Sequence, residues 1–230
     1  VRSDKDKTVI KSLIKAIYQP WLELVTAKFQ DLIQVDASVF TAQKAQPETE
    51  SFVLFVDAFR FELAEEFSSR MAARNYKVTL ETAWSAIPSL TPTAKPNVSP
   101  IATAISESST INEFRPQLET GKELQTSVFR DALTAANFTY ISKSEDINPE
   151  NACWQEIGEI DTKGHEEESD MVKRIEELFE QVQEVVEIAF EKGVKRIKIV
   201  TDHGWLLLPG GLPKTQLNVG LTETRWGRCA

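Results

Sequence analysis

Phe52-Val53-Leu54-Phe55-Val56-Asp57 places five large apolar residues in a row and closes them with a carboxylate. An unbroken apolar run of this length reads as a strand buried on both faces, the kind found in parallel sheets covered by helices. The pattern recurs along the chain. Val194 to Thr201 forms a second such strand, running into Asp202-His203-Gly204, and Phe138 to Ile141 forms a short third. Trp154 to Ile160 reads as another strand, ending at Asp161, and Tyr76 to Ala83 alternates well enough to be one more.

Helical patterns separate these runs. Phe59 to Asn75 carries Leu63, Phe67 and Met71 on one stripe, Glu123 to Ala136 forms a second helix, and Glu168 to Lys192 a long third that Gly193 closes. Strands alternating with helices of this length specify a three-layer α/β/α fold around a mostly parallel, doubly wound sheet. Ligands in such sheets bind outside the carboxyl ends of the strands. Asp57, Asp161 and Asp202 each follow a strand, so the fold is expected to gather them at one edge.

Two regions precede that core. Ile10, Leu13, Ile14, Ile17, Leu22, Val25, Phe29 and Leu32 recur at helical spacing between Val9 and Ile33, with Pro20 interrupting them. The expectation is two helices or one kinked helix whose apolar side packs against a neighbour. Thr41 to Ser51, polar and containing Pro47, reads as a linker. The chain therefore divides into a helical segment over 1–45, an appendage or the end of a preceding domain, and a core over 46–230.

Bulk properties narrow the classes of function. A chain of 230 residues suits one large α/β domain with a small appendage. No apolar stretch approaches the roughly 20 residues that span a bilayer. The charged start, Val1-Arg2-Ser3-Asp4-Lys5-Asp6-Lys7, lacks a signal-peptide core and an initiator Met. The chain also runs on to Cys229-Ala230 without a terminal signature, and reads as a fragment truncated at its C-terminus. Cys153 and Cys229 are far apart and form no zinc-knuckle spacing, which points to a reducing cytoplasmic setting. A net charge of −9 argues against a generic polyanion-binding surface. Much of that acidity lies in one helix that opens at Glu166-Glu167-Glu168-Ser169-Asp170, a solvated face with carboxylates near its N-terminus.

The chemistry concentrates at the strand ends. The chain has two histidines, and each stands near an aspartate: Asp202-His203, and Asp161-Thr162-Lys163-Gly164-His165. Carboxylates and imidazoles together suit a divalent cation, Zn²⁺ first and Mn²⁺ second. A dense carboxylate cluster also needs a cation to offset its repulsion. Two such ions about 3.5–4 Å apart would clamp the oxygens of an in-line displacement at phosphorus. Ile87-Pro88-Ser89-Leu90-Thr91 supplies two hydroxyls, Ser89 and Thr91, that a metal can activate as a nucleophile.

In this order these residues resemble the alkaline phosphatase superfamily. More narrowly, Val56-Asp57-Ala58-Phe59-Arg60, Ile87 to Thr91, Thr201 to Lys214 and Thr224 to Cys229 resemble the PglZ domain of BREX bacteriophage-resistance systems, over about residues 52 to 230. The resemblance implies an alkaline phosphatase-like core and a phosphoesterase with Thr91 as nucleophile. It implies one metal on Asp57, Asp202 and His203 and a second on Asp161 and His165, most simply two Zn²⁺. Ser89 is a weaker nucleophile candidate, and Arg60 or Lys95 could hold phosphate oxygens. Implied partners are other BREX proteins and a phosphoester substrate, nucleotide or nucleic acid before phosphoprotein, with no membrane. The superfamily completes its second site with a later histidine, and none follows His203. That departure leaves an alternative: a metal-binding scaffold within a BREX defence complex that catalyses nothing.

Overall fold

β1, Phe52–Val56, is buried at all five positions, and this decides its place in the sheet. In the computed structural model, which describes residues 3–36, 43–46, 52–106, 116–158, 168–206 and 208, β1 lies between two parallel neighbours. The other strands are β2 (Phe138–Ile141), β3 (Ala152–Ile157) and β4 (Ile197–Val200). The order is β2-β3-β1-β4, and every pairing is parallel. Phe55 of β1 stands opposite Glu156 of β3 and Val200 of β4, so the three strands end almost level.

Because successive side chains of a strand point to opposite faces, β1 feeds two cores. Phe52, Leu54 and Val56 join Leu63, Phe67 and Met71 of α2 (Phe61–Ala73), together with Phe179, Val182 and Val186 of the long C-terminal helix. Val53 and Phe55 join Trp154, Phe138 and Ile101, with Phe129 and Leu133 from the helix Thr126–Ala135. Helices thus cover both faces of a mixed α/β fold. Each fully buried aliphatic or aromatic side chain here supplies roughly 1.5–3 kcal/mol of gross burial. Trp154, with no exposed surface, stacks on Phe55 at 5.7 Å and meets Phe129 edge-on.

The remaining elements, in chain order, are α1 (Asp4–Val35), α3 (Thr91–Val98), α4 (Thr126–Ala135) and α5 (Ile175–Glu191). A 3-10 stretch, Glu168–Arg174, precedes α5, so the acidic segment enters its helix by a tighter turn than the sequence suggested. Gly193 follows α5 at φ +93°, the left-handed conformation that ends a helix and favours glycine.

Several expectations need correction. Tyr76 to Ala83 forms no strand: it pairs with none of the four strands, and Val78 and Leu80 are exposed. Tyr76 instead stacks its ring on Phe190 at 5.1 Å. β3 starts at Ala152 rather than Trp154 and stops at Ile157, because the small Ala152 and Cys153 are themselves buried and paired with β2. α1 is one helix with Pro20 inside it rather than two helices, and none of its residues is buried, so the expected packing of its apolar side is not what the described residues show. The supposed linker is partly anchored: Gln43 N–H donates to Trp84 O at 3.0 Å and Ala45 N–H to Asn97 O at 2.8 Å. Among the described residues no helix is long and apolar enough to cross a membrane.

Candidate metal centre

Parallel strands put their carboxyl ends on one edge, and two of those ends supply the site. β1 runs into Asp57, whose N–H donates to Ile157 O at 2.9 Å and so extends the ladder by one step. β4 runs into Thr201-Asp202-His203. Asp57, Asp202 and His203 offer ligand atoms that lie within 4.8 Å of one another. Among the described residues they form the cluster of carboxylate and imidazole groups close enough to share one ion. Nε2 of His203 is 3.6 Å from Asp57 Oδ1 and 3.7 Å from Asp202 Oδ2.

The two loops are stitched together by backbone and hydroxyl groups. Phe59 N–H donates to Thr201 Oγ1 at 2.9 Å, and that hydroxyl donates to His203 O at 3.2 Å. Ser85 Oγ donates to Asp202 O at 3.0 Å. Asp202 Oδ1 accepts from His203 N–H at 2.9 Å and from Ala58 N–H at 3.4 Å. Its other oxygen, Oδ2, is buried and accepts no hydrogen bond. A half-satisfied buried carboxylate costs free energy unless a cation or proton meets it. Burial accordingly pushes the Asp202 carboxyl above its ordinary range, against the pull of His203 and of the Ala58 and His203 N–H groups.

The histidine is oriented as a ligand. Its Nδ1 lies 2.9 Å from the Gly204 carbonyl, which can only accept, so Nδ1 carries the proton. In the neutral ring Nε2 is then the nitrogen with the lone pair. That lone pair faces two carboxylates and, at 3.1 Å, Thr91 Oγ1. Three acceptors converging on one point repel each other unless a positive centre stands between them. The donor set, two carboxylate oxygens and one imidazole nitrogen, matches three protein ligands of a catalytic zinc site that keeps a further position open.

Thr91 arrives from the other side of the cleft as the first residue of α3. The sequence did not reveal this helix, since Pro92 and Pro96 both fall inside it. Pro92 is tolerated because the first turn has no partner for its missing N–H. The turn ahead of Thr91 contains a cis Ile87–Pro88 bond and is closed by Thr93. Thr93, buried, donates its hydroxyl to Pro88 O and accepts from Leu90 N–H at 3.3 Å. Thr93, Thr201 and Ser85 escaped sequence reasoning. A hydroxyl three residues past the N-cap was the available signal for Thr93, and nothing local marked Ser85.

The remaining candidates are placed differently. Ser89 is exposed, two residues short of Thr91. Lys95 Nζ pairs with Glu156 Oε1 at 2.6 Å and lies over the rings of Phe55 and Phe129, one helical turn from Thr91. Glu156 also accepts from Trp154 Nε1 at 2.8 Å. Arg60 is committed to Glu62 and to Trp205 O. Asp161, His165, Leu207 and the segments 209–214 and 224–229 lie outside the described residues. Leu208 is buried and Leu206 exposed. Comparison of the chain with protein-family models, curated proteins and solved structures returns no match.

Proposed function

We propose that the chain is a metal-dependent phosphoesterase domain of the PglZ type, with an alkaline phosphatase-like core, acting in bacteriophage defence. The observation that carries the reading is the convergence of Thr91 Oγ1, Asp57, Asp202 and the lone pair of His203 Nε2. A cation held by Asp57, Asp202 and His203 supplies Lewis acidity toward a phosphoryl oxygen and favours the ionised form of a nearby hydroxyl. The resemblance adds a second ion at Asp161 and His165.

Thr91 is the nucleophile in this reading. Its Oγ1 forms the new bond to phosphorus while the ester P–O bond breaks, the hydroxyl proton passing to water and the leaving alkoxide taking one from water. A second water then hydrolyses the phosphothreonine and restores Thr91. α3 fixes the hydroxyl, and Thr93 fixes the turn from which α3 starts. The substrate is a nucleotide or nucleic-acid phosphodiester before a phosphoprotein, and the partners are other proteins of a BREX complex in the cytoplasm.

The test pairs elemental mass spectrometry with hydrolysis of a chromogenic phosphodiester. The wild type should hold at least one equivalent of Zn²⁺ or Mn²⁺ and show metal-dependent turnover. Thr91→Ala should keep its metal and lose turnover by roughly 10⁶-fold, the order of loss seen when a hydroxyl nucleophile is deleted. Full turnover by Thr91→Ala would sink the mechanism. The non-catalytic scaffold draws support from one observation, the exposed apolar side chains of α1. It expects metal uptake without turnover in both proteins.

A further inference from the structure

Arg60 sits one residue past the stitched Asp57–Phe59 turn, as the N-cap of α2, and its side chain is turned toward the β4 loop. Nη1 donates to Trp205 O at 3.1 Å, and Cζ lies 4.8 Å from the centre of the Trp205 ring. Nη2 pairs with Glu62. The aliphatic stem packs on Gly204 so closely that a Cβ there would stand 3.2 Å from Arg60 Cγ and 3.7 Å from its Cα. Arg60 therefore flanks the Gly204–Trp205 peptide: its stem packs on Gly204, and its guanidinium holds the Trp205 carbonyl of the next peptide. The Gly204–Trp205 unit is planar, so contacts on either side of it limit how far its carbonyl can swing. That carbonyl is the one that accepts Nδ1–H of His203.

We propose that Arg60 is a positioning residue that sets the tautomer and ring direction of His203 through the Gly204 carbonyl. The idea rests on the reading of His203 as a metal ligand and deepens it. Groups that hold the far nitrogen of a ligating histidine orient the ring and raise its basicity, and their loss costs 10–100-fold in metal affinity. A phosphate clamp, the role the sequence suggested, needs a guanidinium free to meet an anion. Arg60 already has a carboxylate, a carbonyl and an indole face around it. A Cβ at 204 would press on the Arg60 stem at 3.2 Å, so the stem or the peptide would have to shift by a few tenths of an ångström.

The experiment is ¹⁵N NMR of the histidine rings in the full chain, alongside zinc titration. His165→Gln assigns the His203 signals, because the chain has two histidines. In the neutral His203 ring of the metal-free wild type, Nδ1 should carry the proton and Nε2 should not. Arg60→Met keeps the stem and loses the fork; it should mix the two tautomers and weaken zinc binding about ten-fold. Arg60→Lys should recover part of both. Gly204→Ala, which leaves Arg60 intact, should reproduce the tautomer shift, and serves if Arg60→Met folds poorly. An unchanged tautomer and zinc affinity in Arg60→Met overturns the proposal, as does a rise in KM for a phosphodiester with no other change, which would make Arg60 a clamp. A tautomer shift in a chain that takes up no zinc would leave the positioning role standing and remove the metal reading instead.

Discussion

The two loops that meet at the sheet edge reach the same point by different means. The β4 loop delivers Asp202 with its side chain fully enclosed and one oxygen held by N–H groups from both loops, and it delivers His203 with its far nitrogen already occupied. The β1 loop delivers Asp57 with its side chain 15% exposed, followed by Ala58 in the left-handed region at φ +56°. An alanine there costs about 1–2 kcal/mol relative to its right-handed form. Ala58 has no exposed surface, and bonds from its own N–H and that of Phe59 to the β4 loop hold it in place. The β4 side is the template, and the β1 side is bent to meet it.

The largest expected effect follows from that asymmetry. Asp202→Asn should lower zinc affinity by more than 10²-fold, because it removes the charge that one enclosed oxygen aims at the ion. Asp57→Asn should cost nearer ten-fold, since a carboxylate with some solvent access is more easily replaced by water. Equal losses in a chelator-competition titration would break the comparison.

Thermal melts sharpen it. At saturating zinc the wild type should gain about 2.7 kcal/mol when free metal is 100 times Kd. A domain of this size gains roughly 2–4 °C per kcal/mol. Asp202→Asn should show no such gain, yet melt no lower than wild type without metal, having lost a buried carboxylate that is only half satisfied. A much lower metal-free melting point would mean the carboxylate is structural rather than a ligand in waiting.

Thr201→Val keeps the shape of the side chain but leaves Phe59 N–H without its acceptor. The expected cost is about 1–3 kcal/mol of stability, with weaker metal binding because both loops are loosened. Smallest is Ala58→Gly. Relief of the left-handed strain is partly offset by the entropy glycine loses on folding, about 0.5–1 kcal/mol. The net expectation is a gain of about 0.5 kcal/mol by denaturant unfolding, and a loss of stability would show that Ala58 is not strained.

How far the sequence could be read follows the range of the interactions involved. β1 was legible because an unbroken apolar run has few alternatives, and α2 because Leu63, Phe67 and Met71 keep helical spacing onto one buried face. Tyr76 to Ala83 misled, since alternation is a local pattern and does not say whether the segment pairs with a sheet. α1 misled in another way: helical spacing showed helix on both sides of Pro20 without saying that it is a single one, or what, if anything, covers its apolar side. α3 was hidden by its two prolines, yet it is the element that brings Thr91 to His203.

By itself the sequence marked Asp57 and Asp202-His203 as candidate ligands at strand ends, because hydrophobic runs and the residues closing them are local features. It likewise marked Thr91 as a hydroxyl in a proline-shaped turn. Only the tertiary structure decided that Asp57 and Asp202, 145 positions apart in the numbering, share one point with the lone pair of His203. It also decided that Arg60 faces Gly204 and Trp205 rather than an open cleft. Strand order, loop stitching and side-chain direction come from the packing of distant segments, and no local pattern carries that information.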